Sequence, residues 1–500
     1  MTITAALDRG AAETPDALAL DDVSYATLRN GALRIATQLE RRGIGAGKRL
    51  VLYAENSRAF VLAYLGGLYA GAVVVPANVL YREGDLARII EDSEAEAVAV
   101  SAQSRPVGAA TTRRPLIGLD EISGWAGDPS LPLYGAEPPQ ANDLALLIYT
   151  SGTTGRAKGA MLTHGNLAAI AQQVTTAWRW TSRDTLFLAL PLFHIHGLCA
   201  GLNGSLVARG RVLLRERFDA SDAAAALGAG HATMFFGVPT MYVRLLEQAP
   251  EGTFEGVRLF VSGSAALPAS VHESFERRFD ASILERYGST EFGFALTNRY
   301  EGPRLAGTVG FPFPGVAVKL CDKDGATVAA GEIGEILVSG PNVCAGYWRN
   351  DEATAAAFVR DDTGMRWFRS GDLGSFDSER GYAIVGRIKE LIISGGFNVY
   401  PLEVEEELLR VPGVRAGAVI GKPDPARGEI PVAFIEADER IDETEVMEAL
   451  RTRLASFKVP KEIYWVEALP RNAMGKVDKP QLRARLATAG EGFNAARRSP

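Results

Sequence analysis

Segments with helical periodicity alternate with short β-branched runs along the first 310 residues of this chain. Residues 25–42 repeat apolar side chains at helical spacing, whereas residues 49–54 and 95–102 are short, β-branched runs. The alternation continues after a mostly apolar strand predicted at residues 144–150. This pattern predicts an α/β fold, in which helices are layered on sheets.

The pattern changes after residue 310. Residues 310–386 consist of short alternating segments separated by turns, which predicts a β subdomain. Helix and strand signals then restart, and the remaining stretch of about 110 residues is long enough for a small α+β domain. We therefore expect a large N-terminal domain at residues 1–388, with α/β layers and the β subdomain, and a small C-terminal domain at residues 389–500.

Composition and charge exclude several classes of protein. A hydrophobic fraction of 47% and a charged fraction of 23% are globular values, which excludes disorder, collagen and disulfide scaffolds. The net charge is −7 and no long basic run occurs, so we expect no nucleic-acid partner. Cys199, Cys321 and Cys344 lack the spacing of a disulfide framework or a zinc site, which indicates a reducing compartment, and we expect a cytoplasmic protein.

One uncharged stretch, residues 59–77, nominally reaches the length of a membrane-spanning helix. Ser57 as a helix cap, Gly71 as a helix end and the valines before Pro76 instead predict a helix that leads into a buried strand. The N-terminus also lacks the basic and apolar regions of a secretory signal. We expect no membrane span.

The most informative motif is YTSGTTGRAKGAMLTH at residues 149–164, between a predicted strand and a predicted helix. Gly152, Gly155 and Gly159 allow an anion to approach the backbone closely, and Lys158 supplies positive charge. Four further residues supply hydroxyl donors: Thr150, Ser151, Thr153 and Thr154. The spacing is not that of a P-loop, because Ala157 stands where the second glycine belongs. The motif predicts a phosphate-binding loop, and a flexible loop without a ligand is the alternative.

The loop resembles the signature of the adenylate-forming acyl-CoA synthetase superfamily. Six further strings match in the family's order: LPLFHIHG at 190–197, VSGSAAL at 261–267, ERYGSTE at 285–291, RSGDLG at 369–374, GRIKELIISGGFNVYP at 386–401 and PRNAMGK at 470–476. Together they cover almost the whole chain after residue 140. The resemblance implies an enzyme that joins a carboxylic acid to AMP, with ATP as the donor, and then transfers the acyl group to coenzyme A.

The resemblance also implies the residues of the nucleotide site. Thr290 binds the α-phosphate, and Glu291 holds Mg²⁺. The adenine and ribose residues follow from the same motifs: Gly263, Ser264, Ala265, Tyr287, Gly288, Asp372 and Arg387. Lys476 provides the cation that stabilises the adenylation transition state. A surface lysine is the alternative for that position.

Thioester formation requires a second arrangement of the same enzyme. In the family, the C-terminal domain is a mobile lid that rotates about a hinge, and Lys389 matches the hinge residue. Ser394, Gly395 and Gly396 then bind coenzyme A, because glycine lets the pantetheine pass close to the backbone. A tight hairpin turn is the alternative for the two glycines.

Arg244 and Arg286 resemble the arginines with which malonyl-CoA synthetases bind the distal carboxylate of malonate, since a guanidinium pairs with a carboxylate through two hydrogen bonds. Ser289, also assigned to the acid site, replaces the methionine usual in those enzymes. The alternatives are an exposed Arg244 and an ion pair of Arg286 with Glu285 or another acidic residue.

The two histidines of HIHG are a further candidate site. On a strand, the rings of His194 and His196 would face the same side, but no third zinc ligand lies near them in sequence. The resemblance places His194 along the passage of the acyl group and the thiol, and we expect His196 to pack in the interior.

We therefore expect an ATP-dependent ligase that converts malonate or methylmalonate to its CoA thioester. A synthetase for another short-chain, fatty or aromatic acid is the alternative, as is transfer to a carrier-protein thiol. The expected cofactors are ATP, Mg²⁺ and coenzyme A, and the expected partner is a small carboxylic acid. We expect a monomer or a homodimer.

Overall fold

The structure is a computed structural model that describes residues 1–150, 157–252, 254–437, 441–471 and 476–488. The chain forms two compact units. The N-terminal unit comprises Met1–Lys319 and Leu337–Arg369, and the C-terminal unit comprises Leu320–Ile336 and the chain from Ser370 onward. The domain boundary expected between residues 388 and 389 stays a prediction.

The described helices fall into two groups. Those of the N-terminal unit are α1 Ile3–Glu13, α2 Tyr25–Arg41, α3 Arg58–Tyr69, α4 Glu83–Asp92, α5 Arg105–Thr111, α6 Leu119–Gly127, α7 His164–Ala177, α8 Asn203–Ala208, α9 Ala220–Gly228, α10 Pro239–Gln248, α11 Ala269–Phe279 and α12 Asp351–Ala357. Those of the C-terminal unit are α13 Pro401–Leu408, α14 Glu443–Arg453 and α15 Lys479–Thr488. A π-helix spans His196–Leu202, and a short 3₁₀-helix spans Ile388–Glu390.

The described strands form four sheets. Up to residue 312 they are β1 Leu18–Leu20, β2 Val23–Ser24, β3 Arg49–Tyr53, β4 Val73–Pro76, β5 Ala97–Val100, β6 Leu116–Gly118, β7 Leu144–Thr150, β8 Lys158–Thr163, β9 Thr185–Leu188, β10 Arg211–Leu214, β11 Met234–Gly237, β12 Leu259–Ser262, β13 Ile283–Ser289, β14 Gly293–Thr297 and β15 Phe311–Pro312. The later strands are β16 Ala317–Cys321, β17 Gly334–Ser339, β18 Phe358–Arg360, β19 Arg366–Asp377, β20 Gly381–Arg387, β21 Ile392–Ser394, β22 Phe397–Val399, β23 Val414–Asp424, β24 Gly428–Ala437 and β25 Glu462–Trp465.

The α/β layering predicted for the first 310 residues is confirmed. One sheet has the order β6-β5-β3-β4-β7-β8, and it is parallel except for β8. The other has the order β15-β14-β13-β12-β11-β9-β10-β1-β2, and its strands from β13 to β1 are parallel. Parallel strands end at one edge of their sheet, so the segments after β9, β11, β12 and β13 meet there.

The uncharged stretch at residues 59–77 forms the predicted helix and strand. The Ser57 hydroxyl accepts a hydrogen bond from the Phe60 N–H and caps α3. Gly71 follows the helix with a φ of +70°, a backbone conformation that favours glycine. All residues of β4 are buried. Within the described ranges, none of the helices combines the length and the apolar composition needed to cross a membrane.

The short strands predicted after residue 310 are also present. Strands β16 to β20 form a five-stranded sheet with the order β16-β17-β19-β18, in which β20 pairs with β19. Downstream, β21 to β25 form a sheet whose long central hairpin joins β23 to β24. Helices α13 and α14 pack on this sheet through Val404, Leu408, Val446 and Leu450, which are buried in one apolar cluster.

Candidate active site

Three hydroxyl groups surround the carboxylate of Glu291, which follows β13. The Thr150 hydroxyl donates to Glu291 Oε1 over 3.2 Å, and the Tyr347 hydroxyl donates to the same oxygen over 3.1 Å. The Ser289 hydroxyl donates to Oε2 over 2.9 Å. Among the described residues, no ion pair compensates the charge of this carboxylate. The site therefore presents an oriented carboxylate.

Tyr347 is a residue that sequence reasoning missed. It is buried, and its hydroxyl contacts a carboxylate 56 positions away in the chain. The Lys158 ammonium lies 5.3 Å from the centre of the Tyr347 ring, within the range of a cation–π interaction. Burial and the Glu291 charge raise the pKa of Tyr347, so its hydroxyl stays protonated and acts as a donor. The only available signal was the aromatic pair at residues 347–348.

Part of the predicted phosphate loop lies outside the described residues, namely Ser151, Gly152, Thr153, Thr154 and Gly155. The two ends of the loop are described. Thr150 ends β7 and is the antiparallel partner of Lys158, which begins β8. The loop is therefore closed by a strand pair whose ends contact Glu291 and Tyr347.

The other nucleotide residues predicted from the ERYGSTE motif lie on and just after β13. Thr290 is buried, whereas Tyr287 and Gly288 are half-buried. The Tyr287 ring packs on Phe292, with 5.5 Å between the ring centres. These residues share one sheet edge with Gly263, Ser264 and Ala265, which follow the neighbouring strand β12.

The backbone at residues 263–265 approaches Arg286 closely. A Cβ on Gly263 would lie 2.5 Å from Cζ and Nε of the Arg286 guanidinium, so any larger residue here requires the guanidinium to move. Ser264 has a φ of +71°, in the left-handed region, and its hydroxyl lies between two side chains. It is 3.4 Å from Nη2 of Arg286 and 3.4 Å from Nδ1 of His196.

Arg286 is a buried cation with little compensation. The residue is 4% exposed, and its guanidinium carbon lies 4.4 Å from the centre of the Phe294 ring. Its hydrogen bond to Ser264 is long, and its Nε has no partner among the described residues. Burial lowers the pKa of Arg286 to about 9, which leaves it charged at neutral pH. A buried charge in this condition favours an anionic ligand.

The ion pair between Arg286 and Glu285 that sequence reasoning left open is not formed. Glu285 is buried, and its Oε1 lies 4.0 Å from Nδ1 of His272 on α11. Successive residues of a strand point to opposite faces, so Glu285 faces α11 while Arg286 faces Ser264. Among the described residues, no carboxylate pairs with Arg286.

His194 and His196 do not lie on a strand, so the condition under which their rings would face the same side is not met. Strand β9 ends at Leu188, and a π-helix begins at His196. His196 is buried and stacks on Phe236 with 6.0 Å between the ring centres, which confirms that it packs in the interior. Burial, and then the charge of Arg286, hold the pKa of His196 well below its ordinary value, so the ring is neutral. His194 is half-buried.

Arg286 lies next to Ser264, which in turn contacts His196. Arg244 forms no such contact among the described residues. Arg244 lies on α10, whose buried face is formed by Tyr242 and Leu245. Its own side chain is exposed, and it forms no hydrogen bond or ion pair with other described residues. The alternative of an exposed Arg244 matches this geometry, and a role in binding the acid stays a prediction.

The predicted ribose residues of the C-terminal unit are adjacent. Asp372 and Arg387 are partners on the antiparallel strands β19 and β20. Nε of Arg387 lies 3.1 Å from Oδ1 of Asp372, and Asp372 is 8% exposed. The pair therefore presents an oriented carboxylate, which is the group that accepts hydrogen bonds from a ribose diol.

Gly395 and Gly396 form a tight turn, which is the alternative that the sequence left open. They connect β21 to β22 with φ values of +58° and +83°, the geometry of a two-residue hairpin turn. Ser394, before the turn, is 2% exposed. Their contact with coenzyme A stays a prediction.

The predicted hinge and catalytic lysines also lie in the C-terminal unit. Lys389 is in the 3₁₀-helix after β20, and burial lowers its pKa, with a further contribution from Arg387. Lys476 is half-buried, just before α15. At the start of α15, the Lys479 ammonium contacts Glu390 at 2.9 Å and Glu405 at 2.8 Å, an ion-pair cluster that sequence reasoning missed.

The residues around Glu291 fit a magnesium ion. Magnesium is usually held by one or two carboxylates, with water and substrate phosphates completing its ligands. Glu291 offers one oriented carboxylate beside the ends of the predicted phosphate loop. Zinc-type sites need more protein ligands, and no group of three or more His, Cys, Asp or Glu suited to a metal occurs within the described ranges.

Two family models match this chain. One, described as AMP-binding enzyme, matches residues 7–348, and the other, described as AMP-binding enzyme C-terminal domain, matches residues 403–476. The first match alone covers more than half of the chain. The two matches lie on either side of Asp372 and Arg387, the paired residues of β19 and β20.

Individual relatives and structures agree with the family match. Feruloyl-CoA synthase from Amycolatopsis sp is 36% identical over 470 residues, which cover 93% of this chain and 94% of that protein. The mitochondrial malonate–CoA ligase of Mus musculus is 33% identical over 526 residues, covering 94% and 88%. The crystal structure of ATP-bound MatB from Rhodopseudomonas palustris has a TM-score of 0.90 at 38% identity, with 97% of this chain and 99% of that chain covered.

Proposed function

This chain belongs to the AMP-binding enzyme family and is an AMP-forming acyl-CoA synthetase, and we propose that the acid it activates is malonate or methylmalonate. The family reaction has two steps. A carboxylate oxygen of the acid attacks the α-phosphorus of ATP, and the bond to the departing pyrophosphate breaks. The thiol sulfur of coenzyme A then attacks the acyl carbon, and AMP leaves with the electrons of the broken acyl–oxygen bond.

The choice of acid rests on the burial, charge and hydrogen-bond partners of Arg286. Its guanidinium is buried, charged and without a carboxylate partner among the described residues. An acid with a second anionic group can pair with it through two charge-assisted hydrogen bonds. A monoacid of similar shape would leave the charge buried and unpaired, which is costly. The site therefore favours a dicarboxylate over an apolar acid.

The neutral surroundings of Arg286 support the same choice. His196 is held uncharged, and Phe294 and Phe236 contribute apolar faces. A distal carboxylate that binds here meets one cation and apolar walls, where the local dielectric strengthens the interaction. Ser264 adds a hydroxyl next to the guanidinium.

We assign the nucleotide to the hydroxyl-rich side of the site. Thr290 donates to the α-phosphate, and Glu291 holds Mg²⁺, which supplies positive charge to the phosphates when it is bound. The Tyr347 hydroxyl and the Thr150 hydroxyl keep the Glu291 carboxylate in place. Lys158 adds a cation near the end of the phosphate loop. The positive charges of Lys158 and of bound Mg²⁺ would lower the repulsion between the acid and the triphosphate.

The C-terminal unit supplies the remaining roles in this proposal. Lys476 stabilises the negative charge that develops between the acid carboxylate and the α-phosphate. Asp372 accepts hydrogen bonds from the ribose, with Arg387 holding its carboxylate. Lys389 is the hinge for the second step, in which Ser394, Gly395 and Gly396 bind coenzyme A.

An acid panel tests the proposal. AMP release would be measured with ATP, Mg²⁺ and coenzyme A for malonate, methylmalonate, sulfoacetate, ferulate and isovalerate. Isovalerate has the shape of malonate but carries two methyl groups in place of the distal carboxylate oxygens. We expect malonate or methylmalonate to have the highest kcat/KM, exceeding that of isovalerate by about 100-fold or more. A preference for ferulate or isovalerate would contradict the dicarboxylate assignment.

The acyl acceptor is tested in the same assay. We expect malonyl-CoA to form with free coenzyme A, in an amount equal to the AMP released. If AMP appears only when a carrier protein bearing a phosphopantetheine thiol replaces coenzyme A, the acceptor assignment is wrong.

A further inference from the structure

The hydrogen bonds that the Ser289 hydroxyl makes with described residues both lie within the ERYGSTE motif. The hydroxyl donates to Oε2 of Glu291 over 2.9 Å and accepts a hydrogen bond from the Glu291 N–H over 3.2 Å. A serine hydroxyl has a single proton to donate, so none remains for a substrate carboxylate. The acid-binding role expected from the position of Ser289 therefore lacks a donor in this arrangement.

We propose that Ser289 is a positioning residue for the metal of Mg·ATP, acting through Glu291. The inference rests on the proposed function, in which the Glu291 carboxylate holds Mg²⁺. It goes beyond that function in two respects. It assigns Ser289 a role in metal binding instead of acid binding, and it predicts which carboxylate oxygen binds the cation.

The oxygen that binds the cation follows from the hydrogen bonds. An ionised carboxylate has about four lone-pair positions, two on each oxygen. Oε1 accepts from both Thr150 and Tyr347, which uses its two positions. Oε2 accepts only from Ser289 among the described residues, so one position stays open for a cation. The geometry points to a single metal contact through Oε2.

Ser289 also limits rotation of the carboxylate. The hydroxyls of Thr150 and Tyr347 hold one oxygen, and Ser289 holds the other, so the carboxylate plane is defined from both sides. The residues that donate to Oε1 come from distant parts of the chain, 141 and 56 positions away. Without Ser289, Oε2 is free to turn about the remaining contacts. Methionine is the usual residue at this position in the malonyl-CoA synthetases that this chain resembles. It has no hydroxyl to make this bond.

Metal binding in the absence of turnover tests the proposal. Free Mn²⁺ would be measured by electron paramagnetic resonance during titration of the enzyme with Mn²⁺ and α,β-methylene-ATP. The AMP group of this analogue cannot be transferred to an acid. We expect Ser289→Ala to raise the dissociation constant of Mn²⁺ by about 10-fold, the effect typical of losing a group that orients a metal ligand. Ser289→Thr keeps the hydroxyl and should bind Mn²⁺ as the wild type does.

Ser282→Ala is the matched control. The Ser282 hydroxyl donates to the carboxylate of Glu276 just before the same strand, so the variant removes the same kind of bond outside the site. It should leave the dissociation constant of Mn²⁺ unchanged.

Glu291→Gln separates failure of this inference from failure of the proposed function. If Glu291→Gln weakens Mn²⁺ binding but Ser289→Ala stays within twofold of the wild type, the positioning role is wrong. If Glu291→Gln itself has no effect, the metal assignment of Glu291 fails and the inference fails with it. A rise in the KM for malonate in Ser289→Ala, with unchanged Mn²⁺ binding, would return Ser289 to the acid site.

Discussion

Glu285 and Arg286 are neighbours in sequence but lie in different environments. Because β13 points successive side chains to opposite faces, the carboxylate of Glu285 approaches His272, whereas the guanidinium of Arg286 approaches Ser264. Burial raises the pKa of Glu285, and His272 opposes this shift. The carboxylate of Glu285, the nearest negative charge to Arg286 in sequence, therefore does not pair with Arg286. Within the described ranges no carboxylate compensates this cation, which is why we propose that an anionic ligand does so.

Gly263→Ala tests how closely the backbone confines Arg286. The added Cβ would lie 2.5 Å from the guanidinium carbon, so the guanidinium has to move. We expect the KM for malonate to rise by about 10-fold, and the free energy of unfolding to fall by about 1–3 kcal/mol, as for other overpacked sites. Steady-state kinetics and urea denaturation measure the two effects.

Gly124→Ala is the control for that variant. Gly124 lies within α6, and a Cβ there would meet nothing within 4 Å. The KM for malonate should stay unchanged, and helix propensity predicts a gain of up to about 1 kcal/mol in stability. If Gly263→Ala behaved like Gly124→Ala, the close approach to Arg286 would have no functional consequence.

A half-buried ion-pair cluster joins three elements of the C-terminal unit. Lys479 at the start of α15 contacts Glu390 of the 3₁₀-helix and Glu405 of α13. Burial lowers the pKa of a lysine, but Glu405 and Glu390 raise that of Lys479 above its ordinary value. The cluster connects the segment after the predicted hinge, Lys389, to the helix that follows Lys476. It holds these segments together as one body.

Lys479→Met should destabilise the C-terminal unit. Removing the cation leaves two half-buried carboxylates without their ammonium partner, which costs about 1–3 kcal/mol at pH 7. Urea denaturation of the full chain, followed by hydrogen exchange in α13 and α15, measures this loss. Lys323→Met is the matched control, because the Lys323 side chain is 90% exposed and, among the described residues, pairs only with Asp324. Its effect should stay within about 0.5 kcal/mol.

The cost of Lys479→Met should depend on pH. Burial alone would raise the pKa of Glu390. Lys479 opposes this effect and outweighs it, so the pKa lies below the ordinary value of 4.5. A carboxyl with a lowered folded pKa stabilises the protein above its unfolded pKa and loses that contribution as the pH falls through the folded value. The stability difference between wild type and variant should therefore be largest above pH 4.5 and shrink as the pH falls below that value. A difference that stayed constant would contradict the ion-pair account.

Local chemistry explains which elements were predictable from the sequence. Strand β7 occupies the predicted residues 144–150, and Ser57 caps α3 as predicted, because both depend on nearby residues. The π-helix that begins at His196 was not predicted, since it has no local signal that distinguishes it from a strand. The Tyr347 contact with Glu291 was missed because it depends on tertiary packing.

The order of the parallel strands was likewise beyond local reasoning. Motifs that are distant in sequence reach one sheet edge because β9, β11, β12 and β13 are neighbours, with Phe235 paired to Phe187 and Val261 paired to Leu284. Family resemblance assigned the motifs to one site, but alternation of helices and strands alone does not specify which strands are adjacent.

The division of the whole chain into two family matches corresponds to a division of chemical roles. The match at residues 7–348 includes Arg286 and Glu291, and the match at residues 403–476 ends at Lys476. We propose that adenylation needs groups from both, and that the attack of the thiol on the acyl-adenylate does not need the cation of Lys476.

Lys476→Met should therefore separate the two half-reactions. We expect malonate-dependent exchange of pyrophosphate into ATP to fall by about 100- to 1,000-fold, the cost of losing one group that stabilises transition-state charge. Conversion of supplied malonyl-AMP and coenzyme A to malonyl-CoA should stay within about threefold of wild type, since binding contacts are otherwise retained. Equal loss of both half-reactions would contradict the separate role of this lysine.

The most direct test of the account compares malonate with isovalerate in the wild type and in Arg286→Met. Methionine fills a similar volume without charge, so the variant removes the cation and leaves an apolar pocket. The account predicts that the ratio of kcat/KM for malonate over isovalerate falls from about 100 or more to near or below one, while the KM for ATP changes little. An unchanged ratio would contradict selection of the acid by Arg286.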